Sequence, residues 1–162
     1  MENKALVVID LQNDITKNYR EIIKTANQAI DWAAASGMQV IYIKHNNLSA
    51  GTRTFKPDTH GAEFVPELRI ITDCIFVKTK SNALTSEDFS DFIREHNITE
   101  FYLAGADATV CVKSTCYNMV RAGYRVHVLS DCVTSYDKKK LPEMMEYYAN
   151  KGCTVAPLNE VM

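Results

Sequence analysis

Three residues far apart in the chain carry groups that can cooperate in covalent catalysis: Asp10, Lys78 and Cys111. Asp10 ends the apolar run ALVVID (5–10), and Lys78 ends CIFVK (74–78). Cys111 lies just past EFYLAG (100–105), on the first turn of a helical stretch. A carboxylate can take a proton from a nucleophile and pass it to a leaving group. A free thiol is mostly protonated at neutral pH. The unpaired N–H groups of a helix N-terminus and a neighbouring ammonium both favour its thiolate. Backbone N–H groups in the turn GADATVC offer donors for a developing oxyanion. Singly, each residue has a plainer reading. Free cysteines are mostly buried packing groups, an Asp at a strand end caps a loop, and a Lys there is solvated. Their conjunction is what points to chemistry.

That conjunction depends on the elements that carry them. Short runs rich in Val, Ile, Tyr and Phe read as strands: 5–10, 39–44, 74–78, 100–105, 125–130 and 153–157. Several are apolar on both faces, as in a covered parallel sheet. Between them, Ile22, Ala26, Ala29, Ile30 and Ala33 mark one face of a helix from about Asn18 to Ala35. Phe89, Phe92 and Ile93 mark a second, with Thr85 or Ser86 as N-cap. Val112, Cys116, Met119 and Val120 mark a third, and Leu141, Met144, Met145 and Tyr148 a fourth. Gly37, Gly123 and Gly152 follow three of these helices at positions suited to a left-handed cap. The alternation predicts one α/β domain over residues 1–162, with helices on both faces of the sheet. Ligands of such sheets bind at the carboxyl ends of the strands, the rim on which Asp10, Lys78 and Cys111 converge. Residues 45–70 break the rhythm with Gly51, Pro57, Gly61 and Pro66, and read as a functional or intersubunit loop.

Composition narrows the classes. The chain is 46% hydrophobic and 23% charged with a net charge of −2, so nothing points to nucleic acid or an anionic membrane. No apolar run is long enough to span a bilayer, and the N-terminus lacks the pattern of a signal peptide. Five cysteines without C-x-x-C spacing disfavour a disulfide framework or zinc site and fit a reducing cytoplasm. G-x-G-x-x-G after the first strand and G-x-x-x-x-G-K-[ST] are both missing, so a nucleotide-binding module is disfavoured.

Four segments then carry a resemblance. ALVVIDLQNDI resembles the D-x-Q-N-D-F opening of the isochorismatase-like cysteine hydrolases. FVKTKSNALTSEDF resembles their third-strand motif, with Lys78, Ala83, Leu84 and Phe89 in register. LAGADATVCVKSTCYNMVRAGYRVHVLSDCVTS resembles their G-x-x-T-x-x-C-V segment, then a helix, G-Y-x-V and D-A-x-x-S. HGAEFVPEL is similar to their P-G-x-E-x-x-P-x-L loop. The resemblance implies a three-layer αβα, Rossmann-like fold with a six-stranded parallel sheet in the order 3-2-1-4-5-6. It implies an Asp10, Lys78, Cys111 triad, an oxyanion hole from the N–H groups of Asp107 and Cys111, and a cis peptide at Ala106–Asp107. It implies a small-molecule substrate, no cofactor and a homo-oligomer. Ile15 and Leu84, where the family commonly has Phe, are expected to line the substrate pocket, and Gln12 either lines it with them or caps the loop; Ala108 replaces a common Thr. Nicotinamidases of this superfamily carry a D-x-H…H metal site after the second strand. Here that region has His45 and His60 without D-x-H, so no metal is expected and both histidines read as surface or loop residues. Retention of Cys111 favours hydrolysis of an amide-type C–N bond through a thioester. The alternatives are isochorismatase-type hydrolysis with Asp10 as general acid, or an inactive binding protein of the same fold.

Overall fold

The computed structural model describes residues 3–162. Six parallel strands form one sheet: β1 (Lys4–Ile9), β2 (Gln39–His45), β3 (Ile75–Lys78), β4 (Glu100–Ala106), β5 (Arg125–Thr134) and β6 (Thr154–Ala156). Their spatial order is β3-β2-β1-β4-β5-β6, the order expected from the sequence. The helices are α1 (Asn13–Thr16), α2 (Ile23–Ala35), α3 (Glu87–Glu95), α4 (Cys111–Arg121), α5 (Leu141–Asn150) and α6 (Leu158–Val161). None is long and apolar enough to cross a membrane.

β1 shows why the sheet needs cover on both faces. Its residues 5–9 are all fully buried. Leu6 and Val8 point into one core with Ala26, Ala29, Ile30 and Ala33 of α2 and Leu158 of α6. Ala5, Val7 and Ile9 point into the other with Phe89 of α3, Val112, Cys116 and Met119 of α4, and Tyr148 of α5. Alternating Cβ directions send successive side chains to opposite layers, so a continuous apolar run is what a central strand requires.

The elements differ from expectation mainly at their ends. The first long helix begins at Ile23, after a 3-10 turn over Arg20–Ile22, because Tyr19 is non-helical (φ −131°, ψ 16°). β5 runs four residues beyond the expected Ser130, through a register shift opposite Leu103 and Gly105. Ser86 caps α3 by accepting from the Phe89 N–H at 3.4 Å. Cys116 and Cys153 lie in the second core with their sulfurs 3.1 Å apart, and all five cysteines are free.

The loop over residues 45–70 packs on its own chain. It is strapped to the segment after β1 by Val65 N–H to Leu11 carbonyl (3.0 Å), Asn13 N–H to Glu63 carbonyl (2.9 Å) and Phe55 N–H to the Asp14 carboxylate (2.6 Å). It therefore walls the strand-end rim beside Asp10.

One glycine is tied to the central strand pair. Gly105 has φ +120°, and a Cβ there would stand 2.2 Å from the Ile9 carbonyl oxygen. The obstacle is backbone, which cannot swing aside. Gly105→Ala is expected to lower unfolding free energy by about 2–3 kcal/mol, read from urea midpoints at unchanged m-value. A midpoint equal to wild type would show that β1 and β4 do not approach this closely.

Candidate active site

Asp10 is the residue after β1, and its neighbour Ile9 pairs with Ile43 of β2 on one side and Gly105 of β4 on the other. The chain turns there with Asp10 at φ +57°, a left-handed conformation that an L-residue holds only when its surroundings enforce it. Its N–H donates to the Ile43 carbonyl at 3.0 Å. Lys78 ends β3, in register with His45, which ends β2. Cys111 opens α4, whose Val112, Cys116 and Met119 are buried against the sheet. Three strand ends and one helix start thus deliver four side chains to one point.

That point is the Lys78 ammonium, whose side chain is 0% exposed. It donates to Asp10 Oδ2 at 3.0 Å, to His45 Nδ1 at 2.8 Å and to Cys111 Sγ at 3.3 Å. An ammonium has three N–H donors, and here each has an acceptor. Removing a charge from water is costly unless it is paired and hydrogen-bonded, and this charge is both. An Asp10 oxygen, a His45 ring nitrogen and the Cys111 sulfur lie within 4.8 Å of one another. Such a trio could ligate a metal elsewhere; here an organic cation stands among them.

The second Asp10 oxygen, Oδ1, is buried and has no hydrogen-bond partner. An unpaired buried carboxylate oxygen beside a thiol is a ready proton acceptor. The thiol itself is not a resting thiolate, contrary to what the helix start and Lys78 suggest from sequence. Burial, and then the Asp10 carboxylate, push Cys111 up to about 12, outweighing the opposing pull of Lys78. Desolvation disfavours the charged form of any thiol, and a neighbouring anion adds to it. His45 is shifted the other way: burial first, then the Lys78 charge, hold it below the ordinary histidine range, so it is a neutral acceptor.

The turn before α4 leaves two donors free. The N–H groups of Ala108, Val110 and Val112 bond to the carbonyls of Thr134, Asp107 and Asp107. The Thr109 N–H donates to Asp107 Oδ1 at 2.8 Å. Among the described residues, the N–H groups of Asp107 and Cys111 find no protein acceptor. The Ala106–Asp107 peptide is cis. The Asp107 carboxylate braces the turn: burial opposes its ionisation, but donors from Thr109, Tyr136 and Tyr19 outweigh that and hold it below the usual carboxylate range. The Tyr19 hydroxyl donates to it at 2.8 Å.

Three residues assigned to the pocket from sequence sit differently from one another. Gln12 is fully buried. Its amide donates to the carbonyls of His45 (2.9 Å) and Ala62 (2.8 Å) and accepts from the His45 N–H (2.9 Å). It clamps the end of β2 rather than facing a cavity. Ile15 is partly buried against the α2 core. Leu84 is partly buried in the same cluster as Cys111.

The expectation that both histidines are surface or loop residues fails for His45. His60 is exposed beside Glu63, at 3.5 Å, but His45 is in contact with Lys78. The rule that selected Asp10 and Lys78, a reactive side chain at a strand end, applies equally to His45.

A three-layer α/β domain with a carboxylate, an ammonium and a thiol gathered at the strand ends is a framework on which a hydrolase can be built. The isochorismatase domain family model matches residues 4–160, and the chain belongs to this hydrolase family. The chain is 26% identical over 157 residues to the uncharacterized isochorismatase family protein YddQ of Bacillus subtilis, covering 90% of this chain and 87% of that one. Its fold matches a cysteine hydrolase from Pseudomonas syringae pv. phaseolicola with a TM-score of 0.89 at 19% identity, over 99% of this chain and 91% of that one. It also matches N-carbamoylsarcosine amidase from Thermoplasma acidophilum, with a TM-score of 0.83 at 22% identity over 96% of each chain.

The environment of Cys111 makes Asp10→Asn informative. Removing the carboxylate removes a repulsive charge, so the thiol should ionise more readily. Alkylation of Cys111 by iodoacetamide, followed by peptide mass spectrometry, should accelerate by about tenfold. Slower alkylation would mean that Asp10 acts on the resting thiol as its base more than as a repelling charge.

Proposed function

We propose that the protein is a cysteine-dependent hydrolase that cleaves an amide-type C–N bond of a small molecule through a thioester. The observation that carries this reading is the Asp10 carboxylate, which has one oxygen within 4.8 Å of the Cys111 sulfur, leaves its Oδ1 unpaired and shares the Lys78 ammonium with that thiol. Asp10 takes the Sγ proton as sulfur attacks the carbonyl carbon, so the thiolate exists only as the C–S bond forms. The carbonyl oxygen gains the negative charge, and the free N–H groups of Asp107 and Cys111 receive it. Collapse breaks the C–N bond, and Asp10 returns its proton to the departing nitrogen. Water then attacks the thioester, with Asp10 taking a proton from it. The C–S bond breaks, sulfur regains a proton and the acid leaves.

Lys78 acts throughout as a fixed cation. It pairs with the Asp10 carboxylate and offsets the charge that appears on sulfur. Its three bonds leave it no freedom to serve as the mobile proton carrier, which assigns that task to Asp10.

The name of the N-carbamoylsarcosine amidase fold neighbour is consistent with C–N cleavage. Amides and ureides of low molecular weight are the substrates to screen. On any amide that turns over, Cys111→Ala should lose activity by about a thousandfold or more. Acid quenching during turnover should leave the acyl mass on the peptide containing Cys111. Undiminished turnover by Cys111→Ala would transfer the reaction to Asp10 acting as a general acid without a nucleophilic sulfur.

A further inference from the structure

We infer that His45 is a positioning residue for Lys78: its neutral Nδ1 accepts the third ammonium proton and so completes the charge that Cys111 requires. The consequence for turnover rests on the thiol-hydrolase reading above; the geometry does not.

A buried ammonium with one N–H unanswered carries a large desolvation cost, because charged donors lose more than neutral ones when left unpaired. Asp10 and Cys111 supply two acceptors to Lys78. His45 supplies the third at 2.8 Å, the shortest of the three contacts. Cross-strand register makes this possible, since His45 and Lys78 are paired residues at the ends of adjacent parallel strands.

For Nδ1 to accept, its proton must be on Nε2 and the ring must stay neutral. Burial and the adjacent Lys78 charge enforce the neutral ring. The charged groups that face it are Lys78 of β3 and Asp10 just after β1, with the Cys111 thiol of α4 beside them. The ring is held from two further directions. Phe55 of the long loop meets it edge-on, with centroids 5.7 Å apart and planes at 66°. Gln12 holds the His45 backbone through both its N–H and its carbonyl. A residue clamped at backbone and ring, with one nitrogen aimed at the buried cation, is arranged to fix that cation's position.

The alternative occupant of the same acceptor trio is a soft metal. Lys78 Nζ within 3.3 Å of each acceptor argues against it, because the metal would have to displace a buried ammonium from all three contacts.

Two substitutions separate positioning from mere packing. His45→Phe keeps a ring against Phe55 but offers no acceptor. His45→Asn loses the ring yet places an amide oxygen near the position of Nδ1. With an acceptor missing, the ammonium is displaced or discharged, and its support for the thiolate weakens. Cys111 alkylation by iodoacetamide needs no knowledge of the substrate and reads that support directly. His45→Phe should slow it by about tenfold or more, the size expected of one hydrogen bond to a charged group. His45→Asn should stay within about threefold of wild type, by the same reasoning. Thermal unfolding of both variants reports whether the fold is intact. Wild-type alkylation in His45→Phe would overturn the proposal, as would equal slowing in folded His45→Phe and His45→Asn. This readout is independent of turnover. If alkylation follows His45 as described while Cys111→Ala still hydrolyses substrate, the thiol-hydrolase reading fails and the positioning role stands.

Discussion

A single buried ammonium sets the terms for the rest of this molecule. Lys78 is a charged side chain with no solvent exposure, and such a group is stable only if every N–H is answered. The answers come from the ends of β1 and β2 and from the start of α4. None of these elements can shift without leaving the charge unpaired. Asp10 accepts the strain of a left-handed backbone to put its carboxylate there. Gln12 is buried whole to hold His45 in place. The long loop contributes Phe55 as a lateral stop for the imidazole. The site is therefore held by three neighbouring strands, one helix and the long loop, all meeting at the carboxyl ends of the strands.

The same ammonium explains the division of labour. Burial raises the cost of a thiolate on Cys111 and the carboxylate next to it raises it further, so the resting nucleophile is protonated. This makes nucleophilicity conditional on a base. In the proposed reaction Asp10 is that base, and its Oδ1 is buried and unpaired. The N–H groups of Asp107 and Cys111, without a protein acceptor among the described residues, are the donors the proposed oxyanion would meet.

Much of the architecture was legible from residue types alone. Runs such as ALVVID announce a central parallel strand because both faces of it are apolar, and β1 is buried through residues 5–9. The spacing of Ile22, Ala26, Ala29, Ile30 and Ala33 marks a helix, though its start was placed too early. Tyr19 departs from helical angles, and periodicity does not register backbone geometry. The extension of β5 to Thr134 went unseen for a similar reason: a register shift breaks the alternation by which strands are recognised. Asp10, Lys78 and Cys111 were readable because topology places strand ends on one rim. The protonation state of Cys111 was not, since sequence names the neighbours of a thiol but not how dry it is. His45 shows the opposite error. Its position at the end of β2, level with Lys78, carries the needed signal, and metal-ligand spacing does not detect it.

Neutron diffraction from a deuterium-exchanged crystal at neutral pH tests this account most directly, because it locates the protons on which everything turns. The account predicts three deuterons on Lys78 Nζ, aimed at Asp10, His45 and Cys111. It further predicts a deuteron on the Cys111 sulfur and none on either His45 Nδ1 or the Asp10 carboxylate. A Lys78 amine with two deuterons, or a deuteron on His45 Nδ1, would contradict it.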